Sequence, residues 1–131
     1  MRARPSTSPA AADRPTLLLV GQGDPMEAAL KIALDRHGMF VEVLGDEDLK
    51  RTVQVAAPDV ILLVGDAADE AGAGSLELLA SDRATAGIPV VLLAPDTALE
   101  NRLRAFRHGA MAVVPRTASA DFVARRVAEM T

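Results

Sequence analysis

A run of five aliphatic residues near the middle of the chain, Val60–Val64, constrains the fold more than any other stretch. A proline–aspartate pair precedes it and Gly65 follows it, so the run is bounded by residues that interrupt regular structure and is too short for an ordinary buried helix. Uninterrupted aliphatic strands are typical of parallel sheets that helices cover on both faces. Two comparable runs, Thr16–Val20 and Ile88–Ala94, flank it in sequence. We therefore predict that Val60–Val64 is the central strand of an α/β protein.

Strand-like and helix-like segments alternate along the chain. The predicted strands are Thr16–Gly21, Met39–Leu44, Val60–Val64, Ile88–Ala94 and Met111–Val114. The predicted helices are Met26–His37, Glu47–Ala57, Leu76–Arg83, Thr97–His108 and Ala118–Met130, with a glycine-rich acidic loop at Gly65–Ser75. This alternation predicts a doubly wound parallel sheet with right-handed crossovers. Five strands without a sixth favour the flavodoxin-like strand order 2-1-3-4-5, with helices on both faces and functional loops at the carboxyl ends of the strands.

Composition limits the classes of function. Residues 1–15 carry no apolar periodicity and are predicted to be a disordered leader, which leaves residues 16–131 as one domain. The formal net charge of −4 gives no electrostatic footprint for nucleic acid. The chain has no cysteine, which fits a cytoplasmic location, and no apolar run long enough to span a membrane. No metal or cofactor is predicted.

Amphipathic patterning assigns faces to the helices. In Thr97–His108 the apolar residues Leu99, Leu103 and Phe106 recur at helical spacing, and we predict that they face the core. The charged residues between them are then predicted to face solvent.

Three segments in the expected order carry a resemblance to a known family. They are PDVILLV at residues 58–64, IPVVLLA at residues 88–94 and NRLRAFRHGAMAVVPRT at residues 101–117. Together they resemble the third strand, the fourth strand, and the fourth helix with the fifth strand of the receiver domains of bacterial response regulators. The resemblance extends over residues 16–130 and implies the CheY-like version of the predicted fold.

The resemblance also implies a phosphorylation site, and most of its chemistry is missing. Val64 stands where a receiver has its phosphoacceptor aspartate, and Ala94 stands where it has a threonine or serine. Gly21 and Gln22, or Gln22 and Gly23 if the alignment slips by one residue, replace the acidic pair that holds Mg²⁺.

Two further positions belong to the same comparison. Arg116 replaces a lysine but keeps its charge, and Val113 stands at the position of the switch aromatic. The resemblance therefore implies a pseudo-receiver without catalytic residues, which acts by protein–protein interaction independently of phosphorylation.

The partner surface and two alternatives remain open at this stage. In receivers the fourth helix, fifth strand and fifth helix form the usual docking and dimerisation face, which here implies a protein partner, further domains of a longer chain, or a homodimer. The charged residues on that face are Glu100, Arg104, Arg107, Arg125, Arg126 and Glu129.

The first alternative is a nucleotide or small-ligand site at the Gly21–Asp24 turn. The G-x-G-x-x-G pattern of a dinucleotide-binding loop needs a third glycine, and Met26 occupies that position, which disfavours this alternative. The second alternative is a relocated cation or phosphoryl site formed by acidic residues in the loops. The simpler interpretation is that these acidic residues are only solvated. The acids concerned are Asp24, Asp66, Asp69 and Glu70.

Overall fold

The computed structural model describes residues 15–21, 23, 25–44, 49–66, 70–83 and 85–130, so the predicted leader at residues 1–14 lies outside the described residues. The strands are β1 (Thr16–Val20), β2 (Phe40–Leu44), β3 (Val60–Val64), β4 (Val90–Ala94) and β5 (Ala112–Pro115). The helices are α1 (Met26–Arg36), α2 (Leu49–Ala56), α3 (Glu70–Ser81), α4 (Leu99–Arg107) and α5 (Ala120–Ala128). No helix within these ranges is long and apolar enough to cross a membrane.

The five strands form one parallel sheet in the order β2-β1-β3-β4-β5, which confirms the predicted order. β3 is central and completely buried, as its aliphatic run predicts. Register places the strand ends side by side: Val20 pairs with Leu63, Val64 with Leu93, and Ala94 with Pro115. The chain therefore brings the predicted site positions to one edge of the sheet.

The sheet separates two aliphatic cores. Alternate strand residues point to opposite faces. Leu17, Leu62 and Leu93 belong to the first core, which lies under α1 and α5. Leu18, Ile61 and Leu92 belong to the second core, which lies under α2, α3 and α4. Among the described residues, no buried side-chain nitrogen or oxygen lacks a hydrogen-bond partner, as expected for a well-satisfied interior.

Two helix predictions were wrong in detail. α3 begins at Glu70, so the predicted loop Gly65–Ser75 is a short connection followed by a helix start. Gly72 and Gly74 have poor helix propensity, which made the segment resemble a loop, but Leu76 and Leu79 bury the helix in the second core. The second error concerns the orientation of α4, whose apolar residues face solvent rather than the core.

Two histidines tie neighbouring helices together where α1 and α4 end. His37 Nε2 lies 3.2 Å from Asp121 Oδ1 on α5, and His108 Nδ1 lies 2.7 Å from Glu77 Oε1 on α3. The hydrogen bond to His37, together with the charges of His37 and Arg125, lowers the pKa of Asp121 below its ordinary value.

Candidate functional site

The carboxyl edge of the sheet brings together the residues that the sequence selected. Gly21 follows β1, Val64 ends β3, Ala94 ends β4 and Arg116 follows β5, and these strands are neighbours in the sheet. Gln22, the remaining predicted position, lies outside the described residues. The chemistry possible at this edge therefore depends on the functional groups at the other four positions.

Val64 presents only a buried aliphatic side chain. It is 3% exposed and belongs to the same core as Leu62 and Leu93. A valine has no lone pair with which to attack a phosphoryl group, and its burial means that the core fills this position. Removing the side chain from water contributes about 1.5–3 kcal/mol to stability. The strand end therefore stabilises the fold and has no nucleophile.

Ala94 and Val113 extend this aliphatic character. Ala94 is buried in the second core, and Val113 is half-buried against the same core. Neither side chain has a hydroxyl that could bond a phosphoryl oxygen, or an aromatic ring that could change rotamer between two states.

Gly21 is a glycine for a reason that the sequence comparison did not identify. Its φ is not positive, so backbone conformation does not require glycine. A Cβ at Gly21 would overlap the carboxylate of Glu27, whose farther oxygen would lie 2.6 Å away. Glu27 itself is only 7% exposed. The carboxylate from the first turn of α1 therefore occupies the space that a side chain at Gly21 would need.

Glu27 was missed at the level of sequence, although a signal was present. It precedes Leu30 and Leu34 at spacings of three and seven residues, which places it on the buried stripe of α1. An acidic residue on an inward stripe predicts a buried carboxylate. The same carboxylate disfavours the nucleotide alternative, because it places negative charge at the helix N-terminus where a phosphate would approach. Gly23, with φ of +84° and open space around it, is explained by the turn alone.

Arg116 is the basic residue at this edge. It is half-buried, its backbone N–H donates to the Ala94 carbonyl at 2.9 Å, and its Nε donates weakly to the Leu93 carbonyl at 3.4 Å. Within the described residues no carboxylate pairs with it. Of its five guanidinium N–H donors, the one on Nε is used in a hydrogen bond to another described residue.

The loop acids do not form a site within the described residues. Asp24 and Asp69 lie outside these residues, Asp66 is half-buried, and Glu70 begins α3. No group of three or more histidine, cysteine, aspartate or glutamate side chains in the described part of the chain could hold a metal ion.

A second feature lies on the outer surface of α4. Leu99, Leu103 and Phe106 are 62%, 46% and 45% exposed. At about 100° per residue they fall on one side of the helix, and we call them the α4 apolar stripe. The buried side is the opposite one, where Ala105 enters the second core. This arrangement contradicts the predicted inward orientation of the three apolar residues.

Small and polar residues explain why α4 turns this way. Ala105 is small enough to let the helix backbone lie close to the sheet. Asn101 donates to Asp96 Oδ2 at 2.8 Å, and His108 pairs with Glu77, so polar side chains on the inner side are bonded. The stripe is consequently left without an internal partner. Met111, just before β5, and Phe122 on α5 are further exposed apolar residues.

Charges surround the stripe unevenly. Arg104 Nη2 lies 3.8 Å from Glu100 Oε1 in an i,i+4 pair, which largely neutralises both. Arg102 and Arg107 are exposed, and no carboxylate of the described residues pairs with either. Arg125, Arg126 and Glu129 are also exposed on α5, as predicted from the sequence. The stripe is therefore apolar at its centre and basic along its sides, in a chain whose net charge is negative.

Comparisons with known proteins place the fold. No family model matches the sequence, and no curated protein matches it either. Solved structures match closely in shape. A chemotaxis response regulator of Vibrio cholerae superposes with a TM-score of 0.78 at 16% identity, over 90% of this chain and 99% of that one.

Orphan regulators are among the similar structures. An orphan response regulator of H. pylori matches with a TM-score of 0.74 at 15% identity, over 88% of this chain and 94% of that one. An atypical orphan response regulator, described with a phosphorylation-independent regulatory mechanism, matches with a TM-score of 0.73 at 15% identity, over 88% of this chain and 93% of that one. The fold is therefore the CheY-like fold of response-regulator receiver domains, as the sequence resemblance implied.

Proposed function

We propose that this chain is a pseudo-receiver, a regulatory module of the two-component type that acts through protein–protein contact without being phosphorylated. The burial of Val64 in the aliphatic core is the observation that carries the proposal. The altered positions at Gly21 and Ala94 support it, because neither supplies a group that could hold Mg²⁺ or a phosphoryl oxygen. The receiver fold supplies the signalling context, and the description of one similar orphan regulator is consistent with it.

The docking surface in this proposal is the α4–β5–α5 face, with the α4 apolar stripe at its centre. The predicted residues Glu100, Arg104, Arg107, Arg125, Arg126 and Glu129 form its charged surroundings. Apolar centres with a polar rim are the usual anatomy of protein interfaces. A partner with acidic side chains around an apolar surface fits best, because a second copy of this chain would bring the same two arginines, Arg102 and Arg107, to the other side of the interface.

Phosphorylation is tested directly with a small-molecule donor. After incubation with phosphoramidate and Mg²⁺, the intact protein is expected to keep its mass, and Mg²⁺ alone is expected to leave its Tm unchanged. The reason is that Val64 cannot form an acyl phosphate. A conventional receiver treated in parallel serves as the positive control. A phosphoryl adduct on any residue, or stabilisation by Mg²⁺, would contradict phosphorylation independence.

Docking is tested in the native host by a double substitution in the stripe, Leu103→Ser with Phe106→Ser. Both side chains are about half exposed, so the expected cost in stability is small, below about 1 kcal/mol. The transcript profile of the strain is expected to match that of a deletion strain. The control is Ile32→Ser on α1, which is 56% exposed and lies away from the stripe. If the double variant is folded and the profile stays wild type, the stripe is not the docking surface.

A further inference from the structure

A small pocket opens between α1 and α5 at the carboxyl edge of the sheet. Its volume is about 100 Å³. Its walls come from α1, the end of β4, the turn after β5 and the start of α5, and the lining residues are Met26, Ala29, Leu30, Leu93, Arg116, Ala118, Ala120 and Val123. It is separate from the α4 apolar stripe and from the space that Glu27 fills over Gly21.

The lining has one charge. Arg116 is the only ionisable side chain in it, and the other seven lining residues are aliphatic or methionine. Three of these are alanines, whose small size keeps the pocket from being filled. Arg116 gives one weak hydrogen bond to Leu93 O and has no carboxylate partner among the described residues. A cation that no described carboxylate pairs with, beside an apolar cavity, is complementary to a ligand with one negative charge and a short apolar part.

We propose that this pocket binds a small monocarboxylate with a short aliphatic chain. The carboxylate pairs with the guanidinium of Arg116, which can donate two parallel hydrogen bonds to such a group. The aliphatic part lies against Met26, Leu30 and Val123. A cavity of roughly 150 Å³ is known to hold benzene, so the smaller volume here favours a chain of the size of butyrate over larger ligands.

Such a ligand would contact α1 and α5 at once. Met26 and Leu30 lie on the first helix, and Ala120 and Val123 lie on the last, so binding bridges two helices that already pack on one core. Glu27 is an acidic residue on the same helix, and its carboxylate lies beside Gly21. The pocket shares α5 with the proposed docking face but includes none of the charged residues named on that face, so each proposal has its own test.

The probe is butyrate, added to the intact chain and followed by ¹H–¹³C NMR of the methyl groups. We expect saturable shifts of Met26, Leu30 and Val123 with a Kd of about 1 mM, in the range that so few ligand atoms can give. Butyramide, the neutral analogue of similar shape, is expected to bind at least about tenfold more weakly. Phosphate and octanoate test a bare anion and a longer chain, and both are expected to bind more weakly than butyrate.

Three variants distinguish a site from non-specific binding. Arg116→Gln is expected to abolish the preference for butyrate over butyramide, and Ala29→Leu is expected to abolish binding by filling the mouth of the pocket. Ile32→Ser, on the same helix but facing solvent, should leave the Kd unchanged. The proposal is overturned if butyrate shifts none of the lining methyl groups in the millimolar range, if phosphate binds as well as butyrate, or if Arg116→Gln keeps the full preference for the carboxylate.

Discussion

Val64→Asp is expected to lower the free energy of unfolding by about 3–5 kcal/mol at pH 7. The substitution puts a carboxylate at a position that is 3% exposed and enclosed by Leu62 and Leu93 on the same core. In a conventional receiver such a carboxylate has Mg²⁺ and a lysine nearby. Here Gly21 and Ala94 offer no ligand for Mg²⁺, so the carboxylate would be buried with Arg116 at the same sheet edge but without the metal ion. Urea titration of the variant and the wild type measures the difference.

The control is Val64→Asn, because asparagine has a shape similar to that of aspartate but no charge. Burial raises the pKa of the new aspartate above that of the unfolded chain. The neutral form is less costly to bury, so the loss of stability in Val64→Asp should diminish as pH falls toward about 4, whereas the loss in Val64→Asn should change much less. If Mg²⁺ restored the stability of Val64→Asp and allowed phosphorylation, a single substitution would have separated this chain from a working receiver, and the wider loss of site chemistry argued above would be wrong.

The strand order was predictable because its determinants are local. The five residues of β3 are all aliphatic, and such a run is typical of a strand buried between two helical layers. Gly38 and Gly109 follow α1 and α4 and have φ of +81° and +112°. Because glycine favours this conformation, the sequence also predicts where these two helices end. The sheet edge that carries the altered site followed from the same pattern.

The orientation of α4 could not be predicted in the same way. The spacing of Leu99, Leu103 and Phe106 determines that they share one side of a helix, but it does not determine which side the sheet receives. That choice depends on Ala105, whose small side chain allows close packing, and on hydrogen bonds to residues distant in sequence, such as Glu77 to His108. A helix whose apolar stripe faces solvent gains stability from burying that stripe in a partner, which is why the observed orientation of α4 supports the proposed docking surface.

The relation between Gly21 and Glu27 was beyond sequence reasoning for a similar reason. The resemblance to receivers predicts that Gly21 stands where they have an acidic residue, and the helical pattern places Glu27 on an inward stripe. Only the packing of α1 against the sheet shows that the two positions share one space. A side chain at position 21 and the buried Glu27 carboxylate therefore compete for one space, so an acid introduced at Gly21 alone should not complete an acidic pair.

Gly21→Asp is accordingly expected to lower the free energy of unfolding by roughly 2–4 kcal/mol, because the new side chain must displace the buried Glu27 carboxylate and adds a like charge beside it. In a Glu27→Ala background the same substitution should cost at least about 1 kcal/mol less, a coupling typical of residues in direct contact. Gly74→Asp is the matched control, because Gly74 is exposed in α3 with open space at its Cβ position, and it should change the free energy of unfolding by no more than about 0.5 kcal/mol in either direction. Four urea titrations complete the cycle. Strictly additive costs of Gly21→Asp and Glu27→Ala would show that the two side chains do not compete, and the glycine would then need another explanation.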